Sequence, residues 1–348
     1  MYPVGKPANG LIGGTEKYLH ELACGLSKKH QVHVITPDLE AEEQRAATLW
    51  YWPPTHHPTK ADVVIAFHNL ADLDYDSDLL IFAPNGIGAD TAGLEADVDA
   101  VATFSECHSD LIAKTTSIPR EKCVLTGLGV DLAPYPLEDQ SVPGRIYVAN
   151  APERGLWHVL DIFDLVKKEV PHATLHVGYD FDRSFEQHRW GQSALAEMFW
   201  EMKGRIENTP GIVNLGALSP EGVILQQIEC AVHVWPSEPP NAGAQTWGLT
   251  QMECAAAGAA LVLSDVESFG EVFREGAFVL PPVGRYYQAE ERRIDAEDYA
   301  DVVVKLMTDP KFYALQRRKA QRMAAKHTWR SCLARWNAML ERLTEGVE

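Results

Sequence analysis

Residues 243–265 read Gly-Ala-Gln-Thr-Trp-Gly-Leu-Thr-Gln-Met-Glu-Cys-Ala-Ala-Ala-Gly-Ala-Ala-Leu-Val-Leu-Ser-Asp and indicate the fold class. The run predicts a polar turn, a small-residue helix that carries an acid, and a strand buried on both faces. Gln245 and Glu253 are eight positions apart. That is just over two helical turns, so both can face one ligand. Gly258 predicts the end of the helix. An ordinary helix–strand unit of any α/β protein has the same pattern, so a second signal is needed before a function follows.

Strand and helix patterns alternate along the chain, which is typical of an α/β fold with covered parallel sheets. We predict helices over about residues 15–29 and 156–170, a third beginning at 221, and helical structure from Pro310 to the end. The predicted strands are 32–36, 63–67, 79–82, 101–104, 123–126, 145–149, 174–178, 213–215, 232–235 and 260–263. This alternation indicates two Rossmann-like halves.

A chain of 348 residues suits two domains of about 150 residues each. Pro134, Pro136 and Pro143 with Gly144 interrupt the pattern, so the linker is predicted near residue 140. We therefore expect an amino-terminal domain over 1–140, a carboxyl-terminal domain over 141–310 and carboxyl-terminal helices over 311–348. An apolar stripe on the last helix is expected to pack across the domain junction. Its residues are Trp329, Leu333, Trp336, Met339 and Leu343.

The charge balance restricts the partners. Lys and Arg number 31 and Asp and Glu number 49, which leaves a net charge of −18. Such a surface repels nucleic acid and anionic lipid, so small or neutral partners are expected. The six cysteines show no Cys-x-x-Cys spacing, and the chain has no secretory signal pattern and no apolar run approaching the ~20 residues of a membrane span. These features favour a cytoplasmic protein with free thiols.

Gly13-Gly14-Thr15-Glu16 stands directly before an amphipathic helix. Paired glycines let backbone approach a ligand, and the amides at the start of a helix attract phosphate. The run therefore predicts an anion site. A glycine-rich turn in which Thr15 or Glu16 caps the helix is the alternative.

Three segments together resemble the retaining glycosyltransferases of family four, which have the two-domain GT-B architecture. The first is the Gly13 to Leu19 run with its following strand, and the second is Ser105-Glu106 with Gly129-Val130-Asp131. The third comprises 150–156, 170–177 and 245–258. Within it, Asn150-Ala151-Pro152-Glu153-Arg154-Gly155 is similar to the Ser-Ser-Pro-Glu-Arg-Gly signature of one subgroup. The resemblance covers nearly the whole chain, in the family's order.

The resemblance implies two Rossmann-like domains facing across a cleft, with helices at the carboxyl terminus packing across the junction. It also implies transfer of a sugar from a UDP- or GDP-sugar to an acceptor hydroxyl, with retention and without a metal. Glu253 occupies the place of the family's ribose-binding Glu, since a carboxylate can accept both hydroxyls of a diol. Arg154 occupies the place of a basic residue that stabilises the leaving diphosphate.

Other positions in the resemblance are expected to contact the donor. The catalytic assignments are Arg154, Gln245 and Glu253. The donor-binding assignments are Gly13, Gly14, Thr15, Arg154, Thr246, Trp247, Gly248, Glu253 and Glu271. The acceptor is expected to be a small or soluble glycan or glycoside, and no cofactor is expected.

The chain departs from the family at several positions. Gln245 replaces a Glu that contacts the donor sugar, and Asn150 stands where many relatives have an Arg on the phosphates. The family's histidine near the reacting sugar has no clean match. His68 is a loose substitute, and a strand-end histidine bonded to backbone is the alternative. The strand that normally precedes the Gly-Gly run is also missing, which indicates a shortened start or an altered first sheet.

Three further patterns have simpler explanations. Asp72-x-Asp74-x-Asp76-x-Asp78 resembles a calcium loop but lacks the Gly and Glu that such a loop needs, so a solvated acidic loop is favoured. His56-His57 lacks further ligands at metal-binding spacing. Trp50 and Trp52 are compatible with stacking on an acceptor sugar or with a partly buried hairpin or loop.

Three functions remain compatible with the sequence. The first is a retaining glycosyltransferase. The second is a nucleotide-sugar-binding relative with weakened catalysis, motivated by Gln245, Asn150 and the missing histidine. The third is a dinucleotide-dependent oxidoreductase, which is disfavoured because no Gly-x-Gly-x-x-Gly follows a predicted strand.

Overall fold

A computed structural model describes residues 14–36, 41–67, 76–85, 98–181, 193–237, 246–283 and 289–345, with the side chains of 193–196 and 289–294 excepted. The chain separates into two compact units. The first contains the described residues of Met1–Val130, Ala242–Trp247 and His327–Glu348, and the second contains those of Asp131–Asn241 and Gly248–Lys326.

The first unit begins with helix α1, Gly14–Leu26, and contains two small sheets. One has the order β1-β3-β2, formed by Val32–Ile35 (β1), Glu43–Ala46 (β2) and Leu49–Trp52 (β3), with β1 parallel and β2 antiparallel to β3. The other has the order β4-β5-β6-β7 and is parallel, formed by Lys60–Ala66 (β4), Asp76–Phe82 (β5), Ala100–Thr103 (β6) and Cys123–Leu125 (β7). Helix α2, Glu106–Thr115, connects β6 to β7.

The pair β2 and β3 explains the two neighbouring tryptophans. Leu49 and Tyr51 point into the core beside Ala23 of α1. Side chains alternate along a strand, so Trp50 and Trp52 lie on the opposite face, where they are half-buried and their rings stack 5.9 Å apart. The hairpin explanation of these residues is confirmed.

An apolar cavity of about 800 Å³ lies in the first unit between strands β1 and β4. Residues of both strands, of α1 and of the carboxyl-terminal stretch 337–344 line this cavity. Among the described strands, β1 pairs only with β3 and β4 pairs only with β5. The predicted absence of a first strand concerns residues before Gly14, which lie outside the described part of the chain.

The second unit is built on a six-stranded parallel sheet. Its strands are Arg145–Val148 (β8), Thr174–Val177 (β9), Ile212–Asn214 (β10), Val232–Trp235 (β11), Ala260–Ser264 (β12) and Ala277–Leu280 (β13). The spatial order is β10-β9-β8-β11-β12-β13. In chain order this is third, second, first, fourth, fifth, sixth, which is the Rossmann arrangement.

Seven helices of the described chain belong to this unit. They are Leu156–Glu169 (α3), Ser193–Asn208 (α4), Pro220–Glu229 (α5), Leu249–Ala257 (α6), Phe269–Val272 (α7), Ala289–Thr308 (α8) and Pro310–Ala324 (α9). Alternating β-strand and helix along a parallel sheet buries the strands on both faces. Accordingly, all five residues of β12 are buried, as the sequence predicted.

The last helix, α10 at Trp329–Thr344, belongs to the first unit. The ring of Trp329 stacks on that of Tyr18 in α1, with centroids 6.2 Å apart. Arg335 donates a hydrogen bond of 2.6 Å from its Nε to the carbonyl oxygen of Thr126. In the apolar stripe, Trp329, Trp336 and Met339 are buried, while Leu333 and Leu343 are half-buried. Within its own unit, the stripe therefore packs against α1.

Most elements were predicted to within two or three residues, including β1, β6 to β12 and α3. Strands β2 and β13 and helices α4 and α8 were not predicted, and β3 was predicted only as one half of a possible hairpin. The predicted domain boundary near residue 140 stays a prediction. The contacts within the structure divide the two compact units between Val130 and Asp131. In the portion of the chain that the structure describes, no helix has the length and apolarity to span a membrane.

The contact between α1 and α10 generates a stability prediction. A side chain at Gly25 would overlap the methyl groups of Leu333. Gly25→Leu is therefore expected to lower the free energy of unfolding by about 1–3 kcal/mol, the usual cost of overpacking. Leu333→Ala in the same chain should recover part of that loss, because the two changes act on one contact.

Denaturant titration of the four variants in this cycle gives the coupling energy. Gly204→Leu is the control, because a Cβ added at Gly204 in α4 meets no atom within 4 Å. If Gly25→Leu lowers the free energy of unfolding equally in the natural chain and in the Leu333→Ala chain, the contact between Gly25 and Leu333 is contradicted.

Candidate nucleotide-sugar site

The carboxyl edge of the six-stranded sheet in the second unit has the geometry of a ligand site. Strands β8 and β11 are neighbours. The connection after β8 leads to β9 on one side of this pair, and the connection after β11 leads to β12 on the other side. At such a switch point the two loops diverge and leave a crevice. The loop after β8 contains the 3₁₀ turn Pro152–Arg154 and leads directly into α3.

Gly155 lies where these two loops meet. Its φ is +151°, and a Cβ there would overlap the carbonyl oxygen of Pro236, the residue after β11. Only glycine permits this approach of one backbone to another. The loop that carries Arg154 is thus pressed against the end of β11.

Arg154 is placed next to the amino terminus of a 14-residue helix, α3. Its side chain is 49% exposed, and its Nε is 3.9 Å from the Oε1 of Glu153. The first turn of α3 contains no acidic residue and its cap position provides no side-chain acceptor. The positive end of the helix and the guanidinium therefore both favour an anion at this edge. Nearby, Asn150 has a buried Oδ1 with no hydrogen-bond partner among the described residues.

Helix α6 begins at Leu249 behind Gly248 and ends at Gly258, as predicted. A Cβ at Gly248 would lie 2.7 Å from the Cε1 of Phe269, so the residue must be small for α7 to pack there. Gln251, one turn into α6, is fully buried, and its amide has no partner in the described structure. The start of α6 is therefore tightly packed and contains one buried polar side chain, that of Gln251.

Glu253 is buried, with 8% of its surface exposed, and it has polar partners. Its Oε2 accepts a hydrogen bond of 2.9 Å from the Nε2 of Gln227 in α5. The Oε1 of Gln227 accepts a hydrogen bond of 2.6 Å from the hydroxyl of Tyr135. The carboxylate thus lies in a hydrogen-bonded setting and not in an apolar interior.

A second polar chain links the ends of β11, β12 and β13. The backbone amide of Ser237 donates to the Oγ of Ser264 over 2.6 Å, and that hydroxyl is 2.7 Å from the hydroxyl of Tyr299. Tyr299 in turn donates to the carbonyl oxygen of Pro281 over 2.9 Å. Because each of these groups is engaged, the carboxyl edge of three neighbouring strands is held by one network.

The remaining predicted donor-binding residues are distributed over both units. Glu271 is exposed in the short helix α7. Gly14 and Thr15 begin α1 of the first unit, where Thr246 donates a hydrogen bond of 2.7 Å to the carbonyl of Asn85 and the ring of Trp247 lies 5.0 Å from that of His327. Gly13, Gln245 and His68 lie outside the described residues. The site assignments therefore stay predictions, with Arg154, Gly248, Glu253 and Glu271 in one unit.

Sequence reasoning missed Tyr135, Gln227 and Tyr299. One signal for Gln227 was available, since it follows Val223 and Ile224 at helical spacing and so occupies an apolar position of α5. A polar residue on a buried helix face needs a partner. Nothing in the sequence names that partner, because Glu253 is 26 residues away and Tyr135 is 92 residues away.

The patterns given simpler explanations also have defined surroundings. The ring of Trp52 contacts His56 at 6.0 Å and its Nε1 donates to His33 over 3.0 Å, so these aromatic residues contact one another. Among the described residues, no cluster of three His, Cys, Asp or Glu side chains could hold a metal ion. Asp72 and Asp74 lie outside that part of the chain.

No protein-family model matches the chain, and no curated protein matches it in sequence. Among solved structures, it is similar to sucrose-phosphate synthase from Thermosynechococcus elongatus, with a TM-score of 0.72, 13% identity and coverage of 99% of this chain and 98% of that one. It is also similar to WaaG, a glycosyltransferase of lipopolysaccharide biosynthesis, with a TM-score of 0.65, 13% identity and coverage of 94% and 95%.

The chain has the GT-B fold. A third similar structure is HepE from Anabaena in complex with UDP and glucose, with a TM-score of 0.59, 13% identity and coverage of 76% of this chain and 71% of that one. The predicted fold class is confirmed by these likenesses. The identities are low, so the likenesses concern the fold, and the Ser-Ser-Pro-Glu-Arg-Gly-like subgroup stays a prediction.

The contact at Gly155 predicts a local loss of structure. Gly155→Ala should displace the loop of Arg154 from Pro236, because neither backbone can yield without breaking the edge described above. We expect a loss of more than about 2 kcal/mol in stability, the scale of a strained and overpacked site. Gly216→Ala is the control. Its φ is also positive, at +62°, but an added Cβ meets nothing within 4 Å. Equal thermal shifts for the two variants would contradict this account.

A buried histidine predicts how stability depends on pH. His233 in β11 is fully buried, and its Nδ1 lies 2.8 Å from the carbonyl of Tyr147. Burial lowers the pKa of His233 to about 4 from an ordinary value near 6.5. The unfolded chain therefore binds this proton first, and stability is lost as the pH falls from about 6.5 towards 4.

His233→Asn keeps a donor near the Nδ1 position but removes the titration. We expect the slope of unfolding free energy against pH to become shallower by up to about 1.4 kcal/mol per pH unit in that interval. Denaturant titrations at several pH values measure this slope. If the variant does not fold, an NMR titration of His233 in the natural chain decides the same point, and a pKa near 6.5 would contradict it.

Proposed function

We propose that this protein is a retaining glycosyltransferase that moves a sugar from a UDP- or GDP-sugar to an acceptor hydroxyl. The observation that carries the proposal is the edge formed by β8, β11 and α6. It places Arg154 and the positive end of α3 at a Rossmann switch point, and it holds the Glu253 carboxylate within the same unit. The GT-B fold of known glycosyltransferases supports this assignment.

Each of these groups suits one part of a nucleotide sugar. The diphosphate carries negative charge, which Arg154 and the α3 amides can bind. The ribose carries two neighbouring hydroxyls, and the Glu253 carboxylate can accept a hydrogen bond from each. Gly248, Thr246 and Trp247 complete the donor-binding set that the resemblance implies, with Glu271 near the nucleotide. The resemblance also assigns the backbone amides of Gly13, Gly14 and Thr15 to donor binding, and that assignment stays a prediction.

The chemical step follows from this arrangement. The bond between the anomeric carbon and the diphosphate oxygen breaks, and the electron pair leaves with the diphosphate. The acceptor oxygen bonds to the anomeric carbon on the face that the diphosphate leaves, and its proton passes to the departing phosphate oxygen. Arg154 lowers the barrier because its positive charge stabilises the negative charge that builds up on the leaving group. No metal or other cofactor is included in this proposal.

A nucleotide-sugar-binding relative with weakened turnover is the second candidate, and the residues Gln245 and Asn150 favour it. An amide at 245 keeps hydrogen bonding to the sugar but lacks a carboxylate's charge. The buried Oδ1 of Asn150 can only accept a hydrogen bond, whereas an arginine there would donate one. Hydrolysis or transfer of donor by the purified protein would separate this candidate from an active enzyme.

Substitution of the two charged residues tests the assignment. Glu253→Ala should raise the Kd for UDP or GDP by about 10- to 100-fold, since a hydrogen bond to a charged group contributes about 1.5–3 kcal/mol. Arg154→Ala should mainly lower kcat, by about 100-fold, since leaving-group charge is greatest in the transition state. A panel of nucleotide sugars screened by thermal shift first identifies the donor.

Calorimetric titration and donor hydrolysis rates measure the two effects. The exposed residues Glu169 in α3 and Arg318 in α9 provide matched controls of the same charge, as Glu169→Ala and Arg318→Ala. Natural affinity and turnover in both test variants would remove the site assignment.

A further inference from the structure

We propose that Gln227 and Tyr135 are positioning residues that set the direction of the Glu253 carboxylate. This inference rests on the proposed function, in which Glu253 binds the ribose of a nucleotide sugar. Neither residue is assigned to the donor itself. Their effect would reach the donor only through Glu253.

The carboxylate of Glu253 determines which groups donate and which accept along the three-residue chain. A carboxylate can only accept, so the Gln227 group 2.9 Å from Glu253 must be its NH₂. The Oε1 of Gln227 then faces Tyr135, whose hydroxyl donates to it over 2.6 Å. If the amide of Gln227 rotated by half a turn, two oxygens would oppose each other at Glu253. The carboxylate therefore disfavours that rotation, and the bond from Tyr135 to the Oε1 of Gln227 holds the unrotated amide at its other end.

Burial makes this arrangement strong. Gln227 is fully buried, and Tyr135 and Glu253 expose 9% and 8% of their surfaces. Burial, and after it the negative charge of Glu253, raises the pKa of Tyr135 far above its ordinary value. The hydroxyl therefore keeps its proton and stays a donor. In a buried setting, an unmade hydrogen bond is costly, so the three side chains are held in one arrangement.

The chain also joins three separate parts of the second unit. Tyr135 lies in the proline-rich segment 131–143, Gln227 in α5 and Glu253 in α6. Helix α9 holds the same segment at two other points. Tyr313 donates to the Oγ of Ser141 over 2.9 Å, and Arg317 donates to the carbonyl of Leu137 over 3.0 Å. The segment is also bonded to the end of α5, where the backbone amide of Val142 donates to the carbonyl of Glu229 over 2.9 Å. Tyr135 is therefore held by contacts of its segment with α9 and α5 that do not involve Gln227 or Glu253.

One oxygen of Glu253 is engaged by Gln227, which orients the plane of the carboxylate. An oxygen of a carboxylate accepts more than one hydrogen bond, so the same group can still receive a diol. Fixing the plane in advance reduces the ordering that ligand binding would otherwise require. The expected consequence is higher affinity for the nucleotide, with little effect on the bond that breaks at the sugar.

Three substitutions test this role with UDP and GDP as probes. Gln227→Met keeps the volume but removes both hydrogen bonds, and it should raise the Kd about 10-fold. Tyr135→Phe should raise the Kd by a smaller factor, because the amide of Gln227 still donates to Glu253 but loses the hydrogen bond that holds its other end. The KM for donor hydrolysis should rise with the Kd, and kcat at saturating donor should stay within about twofold.

The third substitution, Gln227→Glu, gives a readout that a structural role would not produce. Two carboxyl groups then face each other, which raises the pKa of one of them, so that it is protonated at lower pH and ionised at higher pH. Nucleotide affinity should be low at pH 8 and should recover as the pH falls towards 5, because a protonated carboxyl group at position 227 donates as the amide does. The natural protein measured over the same range corrects for titration of the nucleotide.

Tyr313→Phe is the matched control. It removes the hydroxyl of a half-buried tyrosine in α9 that bonds to the same segment. It should lower the melting temperature to a similar extent without changing the Kd. If Tyr135→Phe and Gln227→Met act only on stability, as this control does, the positioning role is overturned. If Glu253→Ala also binds nucleotide normally, the proposed function fails as well, so the two failures are distinguishable.

Discussion

The contact between Gly155 and the carbonyl of Pro236 is the constraint on which the second unit's site depends. It joins the loop after β8 to the end of β11 at the point where the strand order reverses. A side chain at position 155 would overlap the carbonyl of Pro236, so the loop that carries Arg154 could not lie against the end of β11. The same contact keeps a side chain out of the place where the two strands diverge. The candidate anion site thus depends on the absence of a Cβ at Gly155 as well as on the positive charge of Arg154.

Around this contact the unit combines rigid apolar packing with a few engaged polar groups. The strands β11 and β12 are buried throughout, and the small residues of α6 let the helix lie close to them. Polar side chains enter this interior in two connected groups, one ending at Glu253 and one at Pro281. Both groups satisfy most of their own hydrogen bonds. These hydrogen bonds explain how the carboxylate of Glu253 in α6 can be buried without destabilising the residues around it.

Local patterns predicted many elements because their causes are local. Gly258 ends α6 as its position after three alanines indicated, and the apolar run 260–263 forms a buried strand. The elements that were missed have weaker local signals. Strand β2 reads Glu-Gln-Arg-Ala and exposes most of its surface. Strand β13, Ala-Phe-Val-Leu, is apolar but only four residues long and half-buried, and so short an apolar run does not by itself distinguish a strand from a helix.

The sequence by itself determined the α/β alternation, the acidic surface and the candidate residues Arg154 and Glu253, because each depends on residue type or on spacing of a few positions. Only the tertiary structure decided that Gly155 meets Pro236, 81 positions away, and that Glu253 is bonded through Gln227 to Tyr135. It also decided that the last helix packs on α1 in the first unit. Such contacts depend on how strands are ordered in space. Strand order follows from the free energy of the whole sheet and its covering helices, and no local window of sequence contains it.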